Sequence, residues 1–103
     1  MSLGVPQVML PATELIETMT GSNVLIGSLA YTPIKIIFDN QSTVSIVISI
    51  SYDGGTTFTQ WHTFPAGEAL ILDSDLYCFP KGTSFYGNGA SGDFSISYCY
   101  LKQ

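Results

Sequence analysis

Arginine is absent from the sequence, histidine occurs once, and three lysines face eight acidic residues, for a net charge of −5. Binding that neutralises phosphates needs a clustered basic face, and Lys35, Lys81 and Lys102 are scattered. Nucleic acid and anionic membrane surfaces are therefore excluded as partners. Long apolar runs are also missing: Val44 to Ile50 is interrupted by Ser45 and Ser49. That falls far short of the ~20 residues a membrane-spanning helix requires. The stretch Met1-Ser2-Leu3-Gly4-Val5-Pro6 has neither a positive segment nor an apolar core, so no signal peptide is expected. Cys78 and Cys99 are the only cysteines. They are far enough apart to pair, yet without a secretion signal both read as free thiols. A structural zinc site wants four nitrogen or sulfur ligands, and only His62 could join them. No phosphate-cradling G-x-x-x-x-G-K-[ST], dinucleotide G-x-G-x-x-G or nucleophile-elbow G-x-S-x-G occurs, so no cofactor is expected and enzymatic chemistry has no support.

What remains is an apolar chain of modest size. Its 103 residues make one domain, 1–103. Apolar residues reach 46%, while charged residues are only 11% against a usual ~25%. Mean hydropathy is +0.31, which rules out disorder driven by charge. The dominant period is two. Val44, Ile46, Ile48 and Ile50 alternate with Ser45, Val47, Ser49 and Ser51; Phe94, Ile96, Tyr98 and Tyr100 alternate with Ser95, Ser97, Cys99 and Leu101. Ile34, Ile36 and Phe38 make a third row. Such rows are half-buried strands. Shorter strands are expected at 57–64, 69–73 and 84–87. A strand is favoured over a helix at 12–19, where Thr13, Ile16 and Thr18 are β-branched.

Turn signals separate these segments: Asp39-Asn40-Gln41, Asp53-Gly54-Gly55, Pro65-Ala66-Gly67, Pro80-Lys81-Gly82 and Gly87-Asn88-Gly89. Their spacing predicts an all-β fold, a small antiparallel β-sandwich or small barrel with about seven or eight strands. Residues 1–11, with Pro6 and Pro11, read as an extended N-terminal arm.

Ser51-Tyr52-Asp53-Gly54-Gly55-Thr56-Thr57-Phe58 fits S-x-D-x-G-x-T-[FW] at every fixed position. It resembles the Asp-box, a β-hairpin motif of sialidases and other β-rich families. Locally, Asp53 can accept backbone N–H groups further along the turn, and the glycines supply positive φ. Ser51, Asp53, Gly55, Thr57 and Phe58 are thus expected to form a structural hairpin, with Phe58 packed beneath the loop. In sialidases these boxes lie away from the active site, and those enzymes grip substrate with arginines that this chain lacks. The motif therefore implies no catalysis.

His62 sits in a strand between Trp61 and Thr63 and reads as a sheet or interface histidine rather than a catalytic base. Asp73-Ser74-Asp75 has the spacing of a calcium loop but lacks the rest of one, so it reads as solvated turn carboxylates and no metal is expected. The aromatics are more informative. Trp61 and Tyr86, with Tyr77, are candidates for exposed rings that contact a partner or stack on sugars; the competing expectation for Trp61 and Phe58 is the core or a subunit contact. A chain this apolar and this poor in charge leaves apolar surface that suits a subunit of a symmetric assembly.

Ser51 to Phe58, then Phe64-Pro65-Ala66-Gly67-Glu68-Ala69-Leu70, then Phe79-Pro80-Lys81-Gly82-Thr83 and a closing Ser/aromatic strand resemble small β-sandwich virion proteins of tailed bacteriophages. The likeness covers roughly the last two-thirds of the chain. It implies a β-sandwich of jelly-roll-like form and a non-enzymatic structural role in the virion, as a capsid decoration or cement subunit or a head or tail component. The implied partners are its own copies, a trimer being favoured, and a capsid or other virion protein. The alternative is a carbohydrate-binding module or fibre-tip domain that uses Trp61 and Tyr86 on a glycan.

Overall fold

The computed structural model describes residues 9–11, 14–72 and 79–101. Among these it holds nine strands and no helix: β1 (Met9–Pro11), β2 (Leu15–Thr18), β3 (Val24–Ser28), β4 (Lys35–Asn40), β5 (Ile46–Ser51), β6 (Thr59–Phe64), β7 (Ala69–Leu72), β8 (Ser84–Asn88) and β9 (Asp93–Leu101). Every pairing is antiparallel. One sheet runs β1-β9-β4-β7 with β2 also on β9; the other runs β3-β8-β5-β6.

The pairings nest. β5 pairs with β6, β4 with β7, β3 with β8 and β2 with β9. The chain is one long hairpin whose ribbon is rolled until β9 also meets β4 and β8 also meets β5. Taking β1 and β2 as one interrupted edge leaves eight strands, wound as a jelly roll.

The two-residue period explains why these segments became strands. In β4, Ile36 and Phe38 are buried while Lys35, Ile37 and Asp39 are only partly covered. In β5, Ile46, Ile48 and Ile50 are buried between the half-covered Val47 and Ser49. Phe94, Ile96 and Tyr98 repeat the pattern in β9. These rows meet around Phe38, whose ring touches those of Trp61, Phe64, Phe79 and Phe85. Each such buried ring contributes roughly 1.5–3 kcal/mol of transfer free energy.

Several boundaries and one strand differ from expectation. β3 has no alternating row in the sequence, because its ladder slips between Leu25 and Gly27. Of the expected 12–19 strand, Leu15–Thr18 form β2, and the last three residues of the expected arm form β1 on β9; residues 1–8, 12 and 13 lie outside the described part. Asp39 and Asn40, expected in a turn, are the last residues of β4.

The two ends of the sandwich differ. One end, with the β2–β3, β4–β5, β6–β7 and β8–β9 connections, is tied around the fully buried Asn40. Its Nδ2 donates to the carbonyls of Val44, Phe64 and Pro65, each at 3.0 Å. Its Oδ1 accepts the Ser42 N–H at 2.9 Å. The opposite end carries the β3–β4, β5–β6 and β7–β8 connections, and there Tyr31, Tyr52 and Phe58 are exposed.

Candidate functional site

The β5–β6 turn is organised by one carboxylate. Asp53 Oδ1 accepts the Ser51 hydroxyl at 2.8 Å and the N–H groups of Thr56 and Thr57 at 3.1 and 2.9 Å. Oδ2 accepts the Thr57 hydroxyl at 2.5 Å. Ser51 Oγ in turn accepts the Gly55 N–H at 2.8 Å. Gly54 and Gly55 adopt φ of 73° and 97°, which lets the chain reverse within this ring of bonds. The Thr57 hydroxyl, then the Thr57 N–H and the Ser51 hydroxyl, stabilise the charged form and lower the Asp53 carboxyl to about 2. Four of the five fixed positions of the motif, Ser51, Asp53, Gly55 and Thr57, thus act as one hydrogen-bonded unit, and the carboxylate is taken up by its own turn.

Phe58 leans back on its own turn, with Cζ 3.9 Å from a Cβ built at Gly55. It is 46% exposed, and its ring meets Tyr86 edge to face, with centroids 4.7 Å apart at 87°. Tyr86 stands on β8 and is half-buried, opposite Leu25 on one side and Ser49 on the other. A Cβ added to Gly55 would lie 2.5 Å from the Tyr86 hydroxyl. Gly55 therefore serves twice, for its positive φ and for the room it leaves this ring. The hairpin is docked on the sheet through a residue about thirty positions away in sequence, a contact that no local motif reveals.

Trp61 is turned the other way. Ile48 pairs with His62 and Ser49 with Gln60, so Trp61 is the extra residue of a β-bulge in edge strand β6. Its half-buried ring rests against Phe38 and Phe79, with centroids at 4.9 and 5.3 Å. It belongs with the core rather than with a free stacking surface. His62 Nε2 lies 3.0 Å from Glu68 Oε1, a pair that staples the β6–β7 turn.

A second tyrosine group went unnoticed in the sequence. Tyr31 and Tyr100 stack face to face, with centroids 3.9 Å apart at 5°, and the Tyr98 hydroxyl accepts the Ala30 N–H at 2.9 Å. Burial, then the hydrogen bond with Tyr31, pushes the Tyr100 phenol up. Cys99 is a half-buried free thiol, whereas Tyr77, Cys78 and Asp73-Ser74-Asp75 lie outside the described residues. Among the described residues no group of three or more His, Cys, Asp or Glu is placed to hold a metal ion, and no helix is long and apolar enough to cross a membrane. In comparisons with known proteins the chain matches no family model, no curated sequence and no solved structure.

Proposed function

We propose that this protein is a non-enzymatic structural subunit of a virus particle, a capsid decoration or related head or tail component that works through protein–protein contacts. The observation that carries the reading is the surface. Ile16, Leu25, Tyr31, Tyr52, Phe58 and Ile71 are all large, apolar and exposed on a chain with only 11% charged residues. Tyr31, Tyr52 and Phe58 share one end of the sandwich, and apolar side chains gathered on one part of a surface are ordinarily covered by a partner. The jelly roll supports it as well, since capsid and lectin domains recur on that fold; this part of the argument is an analogy of architecture. The carboxylate most conspicuous in the sequence, Asp53, is consumed by its turn, and Glu68 is taken up with His62.

In this role the subunit adds stability by mass action, since each contact buried on assembly favours the folded, bound state. Light scattering of the purified protein over about a hundredfold dilution tests the reading, because a closed assembly of μM or weaker affinity would dissociate across that range. A trimer or other closed oligomer that persists is the expected result. A monomer at every concentration would count against it.

A further inference from the structure

We propose that the outer face of the four-stranded sheet, around Phe58 and Tyr86, binds a neutral sugar. This goes beyond the particle reading, with which it shares only the exposed Leu25 and Phe58. Leu25, Tyr86 and Phe58 form a continuous apolar surface: Leu25 pairs with Tyr86 across the strands, and Phe58 packs edge-on against the Tyr86 ring. The rings are fixed before any ligand arrives. Bonds to Asp53 set the turn that delivers Phe58, and the missing Cβ of Gly55 seats the Tyr86 hydroxyl. Their ordering cost is met in folding rather than in binding, the condition under which a small exposed patch yields usable affinity.

A pyranose offers an apolar face of C–H groups and a rim of hydroxyls. It needs an aromatic surface with donors and acceptors beside it. The same row of the sheet continues from Tyr86 to Ser49 and on to Gln60, placing a hydroxyl and a carboxamide next to the rings. Charge selects among sugars. The chain has no arginine; Lys35 stands on β4 of the other sheet, and Lys81 lies in the connection before β8, its N–H bonded to Thr32. The turn that delivers Phe58 carries the Asp53 carboxylate, which stays ionised at ordinary pH. Sialylated, sulfated and phosphorylated ligands are repelled, and a neutral hexose is the class that fits.

The test is a titration of the full chain followed by NMR of its aromatic and side-chain amide groups. The probes are neutral hexasaccharides of glucose, mannose and galactose, with sialyllactose as the anionic control. Signals of Phe58, Tyr86 and Gln60 should shift saturably with at least one neutral sugar, at about millimolar affinity, and stay unmoved with sialyllactose. Phe58→Ala should weaken that binding about three- to tenfold, the scale of one lost aromatic contact, whereas Phe58→Tyr should retain it. Because Phe58 also packs on Tyr86, the exposed Gln60→Ala provides a second variant with weakened binding and an intact hairpin. Absence of any shift at about 20 mM of every neutral sugar would overturn the proposal. So would shifts that follow protein concentration alone, which would identify a second copy of the chain as the occupant.

Discussion

Replacing Asn40 with alanine removes the centre of the tied end. The side chain is fully buried and serves four backbone groups: the carbonyls of Val44, Phe64 and Pro65 and the N–H of Ser42. Two of those bonds, to Phe64 and Ser42, are themselves buried, and each group left unpaired there costs about 1–3 kcal/mol. The other two reach partly wet regions where water substitutes, so they add less. The sum is about 3–5 kcal/mol, a large share of the ~5–15 kcal/mol that holds a domain of this kind. At a slope of about 1.5 kcal/mol/M, the urea midpoint should fall by about 2–3 M. Trp61, the only tryptophan, reports the transition through its fluorescence. Asn40→Asp sharpens the test. It keeps the acceptor for Ser42 but points a carboxylate at three carbonyls, so its stability should recover as pH falls towards 4 and the acid becomes a donor again. A loss below about 1 kcal/mol for Asn40→Ala would refute the argument that this residue closes the end.

Gly54 and Gly55 separate strain from space. Gly54→Ala meets nothing within 4 Å and should cost only the ~1–2 kcal/mol of a positive φ, whereas Gly55→Ala also strikes the Tyr86 hydroxyl and should cost more. Tyr86→Phe removes that hydroxyl and should restore part of the difference, read as coupling in thermal melts of the four variants. Asp53, lowered to about 2, stabilises the fold above the ordinary carboxylate range and loses that contribution as pH falls towards 2. Asp53→Asn should therefore differ from the parent in urea midpoint at pH 5, and the gap should close near pH 2. Trp61→Ala should lower stability by about 2–4 kcal/mol, because the half-buried ring packs on Phe38 and Phe79.

β4, β5 and β9 were legible in the sequence because each buries one side and wets the other, so their rows alternate. β3 was not, since Ile26 is the extra residue where the ladder slips and Gly27 contributes no side chain to a row. Asn40 has turn composition on both sides, and only the distant carbonyls of Phe64 and Pro65 reveal its burial. The hairpin was readable because its bonds close within residues 51–58. Its contact with Tyr86 was not, because folding alone brings the two together. Between the two expectations for Trp61, an exposed ring or a core contact, the sequence could not choose, because its direction is set by a bulge that has no local signal.

The nested wrap has a consequence for synthesis. β9 lies between β4 and the β1/β2 edge, an interior position, although it is made after all of them. Until its residues leave the ribosome, β1 and β2 have no ladder and β4 can pair only with β7. The β5–β6 hairpin, by contrast, is complete early and carries its own fastening at Asp53. Folding should therefore start at this innermost turn and zip outward, with the five-stranded sheet assembling last and slowly, as expected where partners are distant in sequence. A nascent chain halted before Asp93 would hold a finished hairpin beside an unclosed half, which makes it a natural substrate for chaperones and proteases.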